Sequence, residues 1–238
     1  PRMPVILRLD GKAFHTFSRG FKKPSDELMS YAMKDTMKYL CEHIQGCVLG
    51  YTQSDEITLV LVDYKELNTT PWFDNEIQKL CSVGASMATM AFNRYFYMYA
   101  SQWVAQANSL VGDIDSIRFN AIKRALNMGA MFDCRCFNVP VDDVTNCLLW
   151  RQNDATRNSI EALGRAYFSH KELHQKNGSA IQDMLHEKFG INWNDCPTEY
   201  KRGCCCIKDD EGKWFVDTEI PIFKGEGRDY IEKLIKFE

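Results

Sequence analysis

Cys47-Val48-Leu49-Gly50-Tyr51-Thr52 and Ile57-Thr58-Leu59-Val60-Leu61-Val62, joined by Gln53-Ser54-Asp55-Glu56, decide the fold. Two apolar runs separated by four polar residues predict a β-hairpin with carboxylates at its tip. Upstream, Val5-Ile6-Leu7-Arg8-Leu9 predicts a buried strand that ends in a turn at Asp10-Gly11. Between strand and hairpin, Leu28, Tyr31, Ala32, Met33, Met37, Leu40 and Cys41 recur at three- and four-residue steps. They predict a helix over about 26–43, capped by Ser25 or Asp26 and stopped at Gly46. Strand, helix and hairpin in that order describe an α+β fold.

Working outward, the pattern predicts helices over 74–99, 115–127, 142–167 and 179–189, and a strand over 130–139. Asp142 is expected to cap the third of these helices. Ser169 and Glu172 have capping-box spacing. From Tyr200 the chain reads as strand-rich, with a turn at 209–212 between runs 204–207 and 214–216. A soft boundary divides a first domain at 1–140 from a helical and β-hairpin extension at 141–238, the two forming one unit.

The 238 residues carry 29 basic and 32 acidic side chains, a net charge of −3. That excludes a uniformly basic nucleic-acid coat but allows local patches. No apolar stretch approaches the roughly 18 residues of a membrane-spanning helix. The ten cysteines include no Cys-x-x-Cys pair, which argues against structural zinc and for buried thiols in a reducing, cytoplasmic setting.

Most acidic residues here read as solvated surface. Asp10, Asp55 and Glu56 differ, because each ends or joins an apolar strand. In one sheet they converge at one edge, supplying the hard oxygen ligands that suit Mg²⁺. Two such ions can activate a hydroxyl and stabilise a departing oxygen in phosphoryl transfer. Gly11 allows close backbone approach, so its carbonyl can complete a metal shell. Arg8 shares a face with Asp10 and, within an apolar strand, requires an anion: Asp55, Glu56 or a phosphate. Lys12, Lys22, Lys23 and Lys79 are candidates for holding phosphate charge. Taken singly, each of these residues has an ordinary reading as a turn or a solvated surface group.

Arg8-Leu9-Asp10-Gly11-Lys12-Ala13-Phe14-His15 and Tyr51-Thr52-Gln53-Ser54-Asp55-Glu56 resemble the two metal-site motifs of the tRNA-histidine guanylyltransferase family. Lys23-Pro24, Phe132-Asp133-x-Arg135, Trp150-Arg151-Gln152-x-Asp154, Lys176-Asn177 and Tyr200-Lys201-Arg202-Gly203 follow in the order of that family. The resemblance implies a polymerase-like palm with extra C-terminal elements, commonly assembled as a homotetramer (a dimer of dimers). It implies that Asp10, the Gly11 carbonyl and Asp55 bind two Mg²⁺ ions, with Glu56 in support. Lys12, Ala13, Phe14, His15 and Ser54 would line the nucleotide, and Arg8, Lys23, Lys79 and Asn158 would contact it through phosphate. Arg157, His170, Lys171, His174, Lys176, Asn177, Lys201 and Arg202 would face tRNA.

Where eukaryotic members carry His-Ile-Asn-Asn after the Trp-Arg-Gln-x-Asp motif, this chain has Thr156-Arg157-Asn158-Ser159. Only Asn158 persists. That departure resembles the guanylyltransferase-like branch of bacteria, archaea and phages, whose members act as 3′–5′ polymerases repairing truncated tRNA 5′ ends with ATP and GTP or other NTPs. Asp74, Asn75 and Glu76 replace a more basic stretch of the family before Lys79. The alternatives are a dedicated tRNA-histidine guanylyltransferase, a nucleotide cyclase and a non-catalytic RNA-binding palm.

Elsewhere, His170 and His174 have helical spacing but no third metal ligand in register, so they read as a basic surface. Arg118, Lys123 and Arg124 are ambiguous between RNA contact and solvation. Phe92, Tyr95, Phe96, Tyr97 and Tyr99 read as core and oligomer contact. Asp133 and Arg135 are expected to pair on a strand.

Overall fold

The computed structural model of the chain describes residues 2–109 and 115–237. Strands β1 (Val5–Gly11), β2 (Cys47–Gln53), β3 (Glu56–Leu61), β4 (Phe132–Asn138), β5 (Cys204–Lys208) and β6 (Trp214–Asp217) form one antiparallel sheet. Their order is β4-β1-β3-β2-β5-β6. Helices α1 (Phe14–Phe17), α2 (Glu27–His43), α3 (Ile77–Ser109), α4 (Ser116–Met128) and α5 (Val141–Tyr167) follow in chain order. Then come α6 (His170–Leu173), α7 (Gly178–Phe189), α8 (Thr198–Arg202) and α9 (Asp229–Ile235). This is the expected palm, a strand-helix-hairpin sheet with flanking helices.

Alternation along the strands separates two cores. Leu7, Leu9, Ile57 and Leu59 face α2, α3 and α4, where they join Met33, Met37, Phe92, Phe96 and Ile122. The opposite face buries Ile6, Leu49, Tyr51 and Val60 against Val144 and Leu148 of α5 and Ile231 and Ile235 of α9. A third cluster, including Ile160, Leu163, Ile181 and Leu185, packs the far end of α5 on α7. The ten cysteines are free thiols. Cys204 and Cys206 enter the first core and Cys205 the second, as alternation requires.

Three expectations need correction. Helix α3 begins at Ile77 rather than at 74, because Phe73, Asp74 and Asn75 have left-handed φ of 49°, 51° and 59°. A right-handed helix cannot propagate through such residues. It also runs on to Ser109, with Ala100 and Ala107 buried along its continuation. Helix α5 is entered from Pro140, which makes no side-chain cap; Asp142 lies inside the first turn, where a negative charge complements the helix dipole. The tail after β6 is not strand but the amphipathic helix α9, whose Ile231 and Ile235 are fully buried.

Gly203, which ends α8, has φ of +81°, and a Cβ there would meet the Thr52 carbonyl oxygen at 2.5 Å. The approach lets β5 pair with β2. Gly203→Ala is therefore expected to cost about 1–3 kcal/mol of stability. Thermal melts should show a fall of about 2–4 °C per kcal/mol in a chain of this size; an unchanged Tm would show that this contact does not constrain the sheet.

Candidate active site at the edge of β1 and β3

Pairing of β1 with β3 sets Asp10 opposite Glu56, and pairing with β4 sets it opposite Asp133. The Gly11 amide donates to the Asp55 carbonyl at 3.0 Å, which joins the end of β1 to the hairpin tip through backbone. Ser54 adopts a left-handed φ of 51° in the two-residue turn. Its Oγ donates to Asp55 Oδ1 at 3.0 Å, and Thr52 Oγ1 donates to the Glu56 carbonyl at 2.8 Å. Strand alternation and direct pairing put Arg8, Asp10 and Glu56 on one face.

The three carboxylates differ in their partners. Glu56, only 6% exposed, accepts from Arg8 Nη2 at 2.6 Å and from Arg151 Nη1 of α5 at 3.2 Å. The anion that Arg8 requires is thus Glu56. Arg151 also donates to Asp154, which accepts from Arg157 Nη2 at 2.6 Å. Asp10 and Asp55 have no ion-pair partner among the described residues. Burial raises the Asp55 pKa above the usual aspartate value, and the charges of Asp10 and Glu56 push the same way, against the hydrogen bond from Ser54. Asp133 and Arg135 do pair, at 3.7 Å on the exposed face of β4.

No group of three or more His, Cys, Asp and Glu side chains among the described residues is arranged to hold a metal ion. The edge instead offers two unneutralised carboxylates, with Glu56 taken up by guanidinium groups. That donor set fits Mg²⁺, which takes one or two protein carboxylates and completes its shell with water and substrate phosphate. It does not fit a structural zinc site.

Beside this edge lies a cleft of about 570 Å³ between the start of α2, the hairpin tip, α5 and α8. Phe21, Met29 and Met33 give it an apolar floor; Lys22, Lys23, Ser54 and Asn158 supply polar groups. Lys34 also lines it, but is paired with Glu199 at 2.7 Å. A second cavity of about 510 Å³ holds Arg165, His170 and His174, and Lys23 lines both.

The structure sorts the remaining expected residues. Lys12 and Ala13 are exposed on the turn after β1, Ala13 with a left-handed φ of 54°, and His15 is exposed on α1. Phe14 is a correction: its ring is buried against Phe17, Phe92 and Phe132, so it is core. That ring is also why residue 11 is glycine, since a Cβ there would sit 2.3 Å from Phe14 Cδ2. Lys79 does not line the cleft. It pairs with Glu76 near the start of α3, where Cys81 Sγ lies 3.6 Å from Cys136 Sγ. Gly11 sits at the other end of β4, opposite Phe132, whose amide donates to Thr89 Oγ1.

Asn177 caps α7, accepting from the Ala180 amide at 2.9 Å. Lys201 donates to the Asn194 carbonyl at 2.5 Å, and the Arg202 carbonyl accepts from Tyr51 at 2.7 Å. Lys171 and Lys176 are exposed.

One positioning element escaped the sequence reading. Asp26 caps α2 by accepting from the Leu28 amide, receives the Lys22 amide, and takes Arg118 Nε at 2.9 Å and Nη2 at 3.1 Å. The pair is buried, and it fixes the turn that carries Lys22 and Lys23. Arg118 is therefore a structural cation, in contrast to its solvated or RNA-facing reading. Only the capping signal of Asp26 was visible locally; its partner lies 92 residues away.

Residues 1–140 match the family described as Thg1, tRNAHis guanylyltransferase. The solved structure of a bacterial tRNA(His) guanylyltransferase-like protein in complex with ATP superposes with a TM-score of 0.85 at 40% identity, covering 99% of this chain and 91% of that one. One in complex with GTP superposes at 0.75 with 35% identity, with the same coverage. An uncharacterised protein, R259, of Acanthamoeba polyphaga mimivirus is 28% identical over 214 residues, 85% of this chain and 69% of its own length. The probable tRNA(His) guanylyltransferase of Drosophila melanogaster is 28% identical over 213 residues, 87% and 68% of the two chains.

Two outcomes follow from the electrostatics. An aspartate whose folded pKa is raised destabilises the fold above that pKa and ceases to do so as pH falls through it. Asp55→Asn should therefore raise the Tm of the metal-free protein at neutral pH, by about 2–4 °C for each kcal/mol relieved, and the two melting curves should converge in acid. A lower Tm for the variant at pH 7 would contradict the repulsion. Arg118→Ala should cost about 3–5 kcal/mol by leaving a buried carboxylate uncompensated. A loss under about 1 kcal/mol in urea unfolding would mean that backbone amides alone satisfy Asp26.

Proposed function

The chain belongs to the tRNAHis guanylyltransferase family, a family of nucleotidyltransferases, and from that premise we propose that it extends truncated tRNA 5′ ends in the 3′–5′ direction, copying the opposite strand. The observation that carries this reading is the pair of unneutralised carboxylates, Asp10 and Asp55, beside a cleft with lysines at its rim. The absence of the family histidine at Thr156 supports templated repair over addition restricted to histidine tRNA.

In this reading the 5′-monophosphate of the RNA attacks the α-phosphorus of ATP, giving an adenylylated end and pyrophosphate. The 3′-hydroxyl of an incoming NTP then attacks the activated 5′ phosphorus and displaces AMP. A 5′-triphosphorylated RNA loses pyrophosphate instead and needs no activation. Asp10, Asp55 and the Gly11 carbonyl would hold two Mg²⁺ ions, which supply charge neutralisation at the phosphates and a more acidic attacking hydroxyl. Lys23, with Lys12 and His15 across the edge, neutralises triphosphate charge. Ser54 and Asn158 orient the nucleotide from opposite walls. Arg165, His170 and His174 take the RNA phosphates beyond Lys23, with Arg157, Lys171, Lys176, Lys201 and Arg202 extending that surface. No protein nucleophile is required, so catalysis rests on positioning and charge.

Residues 1–140 would form the catalytic palm and 141–238 the extension that walls the cleft. A cytoplasmic homotetramer would bury the exposed Met90, Tyr97 and Met98 of α3. Among the described residues no helix is long and apolar enough to cross a membrane.

The test is nucleotide addition to a 5′-truncated tRNA with Mg²⁺ present, using monophosphorylated and triphosphorylated ends and every base on the opposite strand. Additions should follow the opposite base, and Asp55→Ala should reduce them by about 10²–10³-fold or more, the range for losing one preorganised charge-stabilising group. Additions of G alone whatever the opposite base, or a cyclic nucleotide formed without RNA, would overturn the proposal.

A further inference from the structure

Helix α5 meets the rest of the molecule in two apolar regions. Val144 and Leu148 pack on the sheet face, and Ile160 and Leu163 pack on α7. Between them the helix crosses the catalytic edge, and Ala155, Asn158 and Ser159 form a wall of the cleft. Within this crossing the one ion pair between α5 and the sheet, among the described residues, is Arg151 to Glu56, at 3.2 Å to Oε2. Glu56 is held from its other side by Arg8 of β1 at 2.6 Å. A nearly buried carboxylate thus lies between two guanidiniums, one from the strand that carries Asp10 and one from the helix that carries Asn158.

We propose that Arg151 is a positioning residue for nucleotidyl transfer. Through Glu56 it fixes the helical wall of the cleft against the edge that carries Asp10 and Asp55. This inference rests on the reading of that edge and cleft as the transfer site. It assigns Glu56 to the clamp rather than to the metal shell, since both of its oxygens lie within 3.5 Å of guanidinium nitrogens. Arginine is needed at 151 because its fork reaches Glu56 and Asp154 together, whereas lysine offers a single point charge. Loss of the clamp should loosen the nucleotide while leaving the carboxylates of Asp10 and Asp55 in place.

The experiment uses the full chain and a triphosphorylated, 5′-truncated tRNA, so that activation does not enter. Arg151→Ala, Arg151→Lys, Glu56→Gln and the Arg151→Ala/Glu56→Gln double variant are compared for KM of the NTP, kcat and Mg²⁺ dependence. NTP binding is measured separately by calorimetry. Arg151→Ala is expected to raise KM by about 10–100-fold with a smaller effect on kcat, and to weaken calorimetric binding to match. Arg151→Lys should recover part of the loss. The Mg²⁺ concentration for half-maximal activity should stay at the parental value in all three single variants. The double variant should cost less than the product of the single effects, as residues in contact do.

Parental KM and binding in a folded Arg151→Ala protein would overturn the proposal, as would a variant that only lowers Tm. A raised Mg²⁺ requirement in Glu56→Gln alone would make Glu56 a metal ligand and overturn it also. Asp55→Ala in the same assay separates the two levels. If Asp55→Ala still transfers, the reading of the site fails; if it is inactive while Arg151→Ala behaves as the parent, only the clamp fails.

Discussion

The antiparallel register of β1 on β3 is the constraint from which the candidate site follows. It places Leu7 against Leu59 and Leu9 against Ile57, all fully buried on the face covered by α2 and α3. Each such side chain contributes about 1.5–3 kcal/mol by burial. A slip of β1 by one residue would turn Leu7 and Leu9 toward the other face and carry Arg8 and Asp10 into the apolar core. The register is therefore set by leucines and isoleucines, and the opposition of Asp10 to Glu56 is its by-product. The carboxylates could not assemble themselves, because their mutual repulsion works against the pairing that brings them together.

That repulsion is handled unevenly. Glu56, the most deeply placed, receives two arginines, and the pairing compensates much of its desolvation. Asp55 receives a serine hydroxyl and its own backbone amide but no cation among the described residues, and lies in the field of two other carboxylates. A fold under selection for stability alone would neutralise Asp55 too. Perturbed carboxylates of this kind concentrate where a site must accept charge from a ligand. The half-buried thiols of β4 illustrate the opposite case: desolvation and the neighbouring Cys81 push Cys136 up to about 11 and Cys134 higher still, which leaves them protonated.

Much of this was legible in the sequence because its signals are local. The β2–β3 hairpin, β1 ending at Asp10-Gly11 and the capping box at Ser169 each announce themselves within a few residues. The alternating cysteines of β4 and β5 likewise reveal which way their side chains turn. What the sequence hid depends on distant partners. Asp26 reads as a helix cap, and nothing near it points to Arg118. Phe14 sits inside a motif whose neighbours are exposed, yet its ring fills the space above Gly11. Lys79 lies on a helix whose direction along β4 is decided by packing between α3 and the sheet, so its distance from Gly11 could not be read from spacing. Arg151 was visible only as part of a motif, with no indication of the side chain it would meet.

The chemistry of the cleft bears on how a nucleotide would be chosen there. A pocket dedicated to guanine needs an acceptor for the donors on that base edge, and a free carboxylate is the strongest available. Two carboxylates line this cleft, and both are engaged: Asp26 by Arg118 and two backbone amides, Glu199 by Lys34. The floor of Phe21, Met29 and Met33 offers contact area that adapts to different ring shapes. Lysines reward the triphosphate common to every NTP. On the proposed function, such a site would bind nucleotides without sorting them strongly, and a polymerase built this way would take its choice of base from the opposite RNA strand.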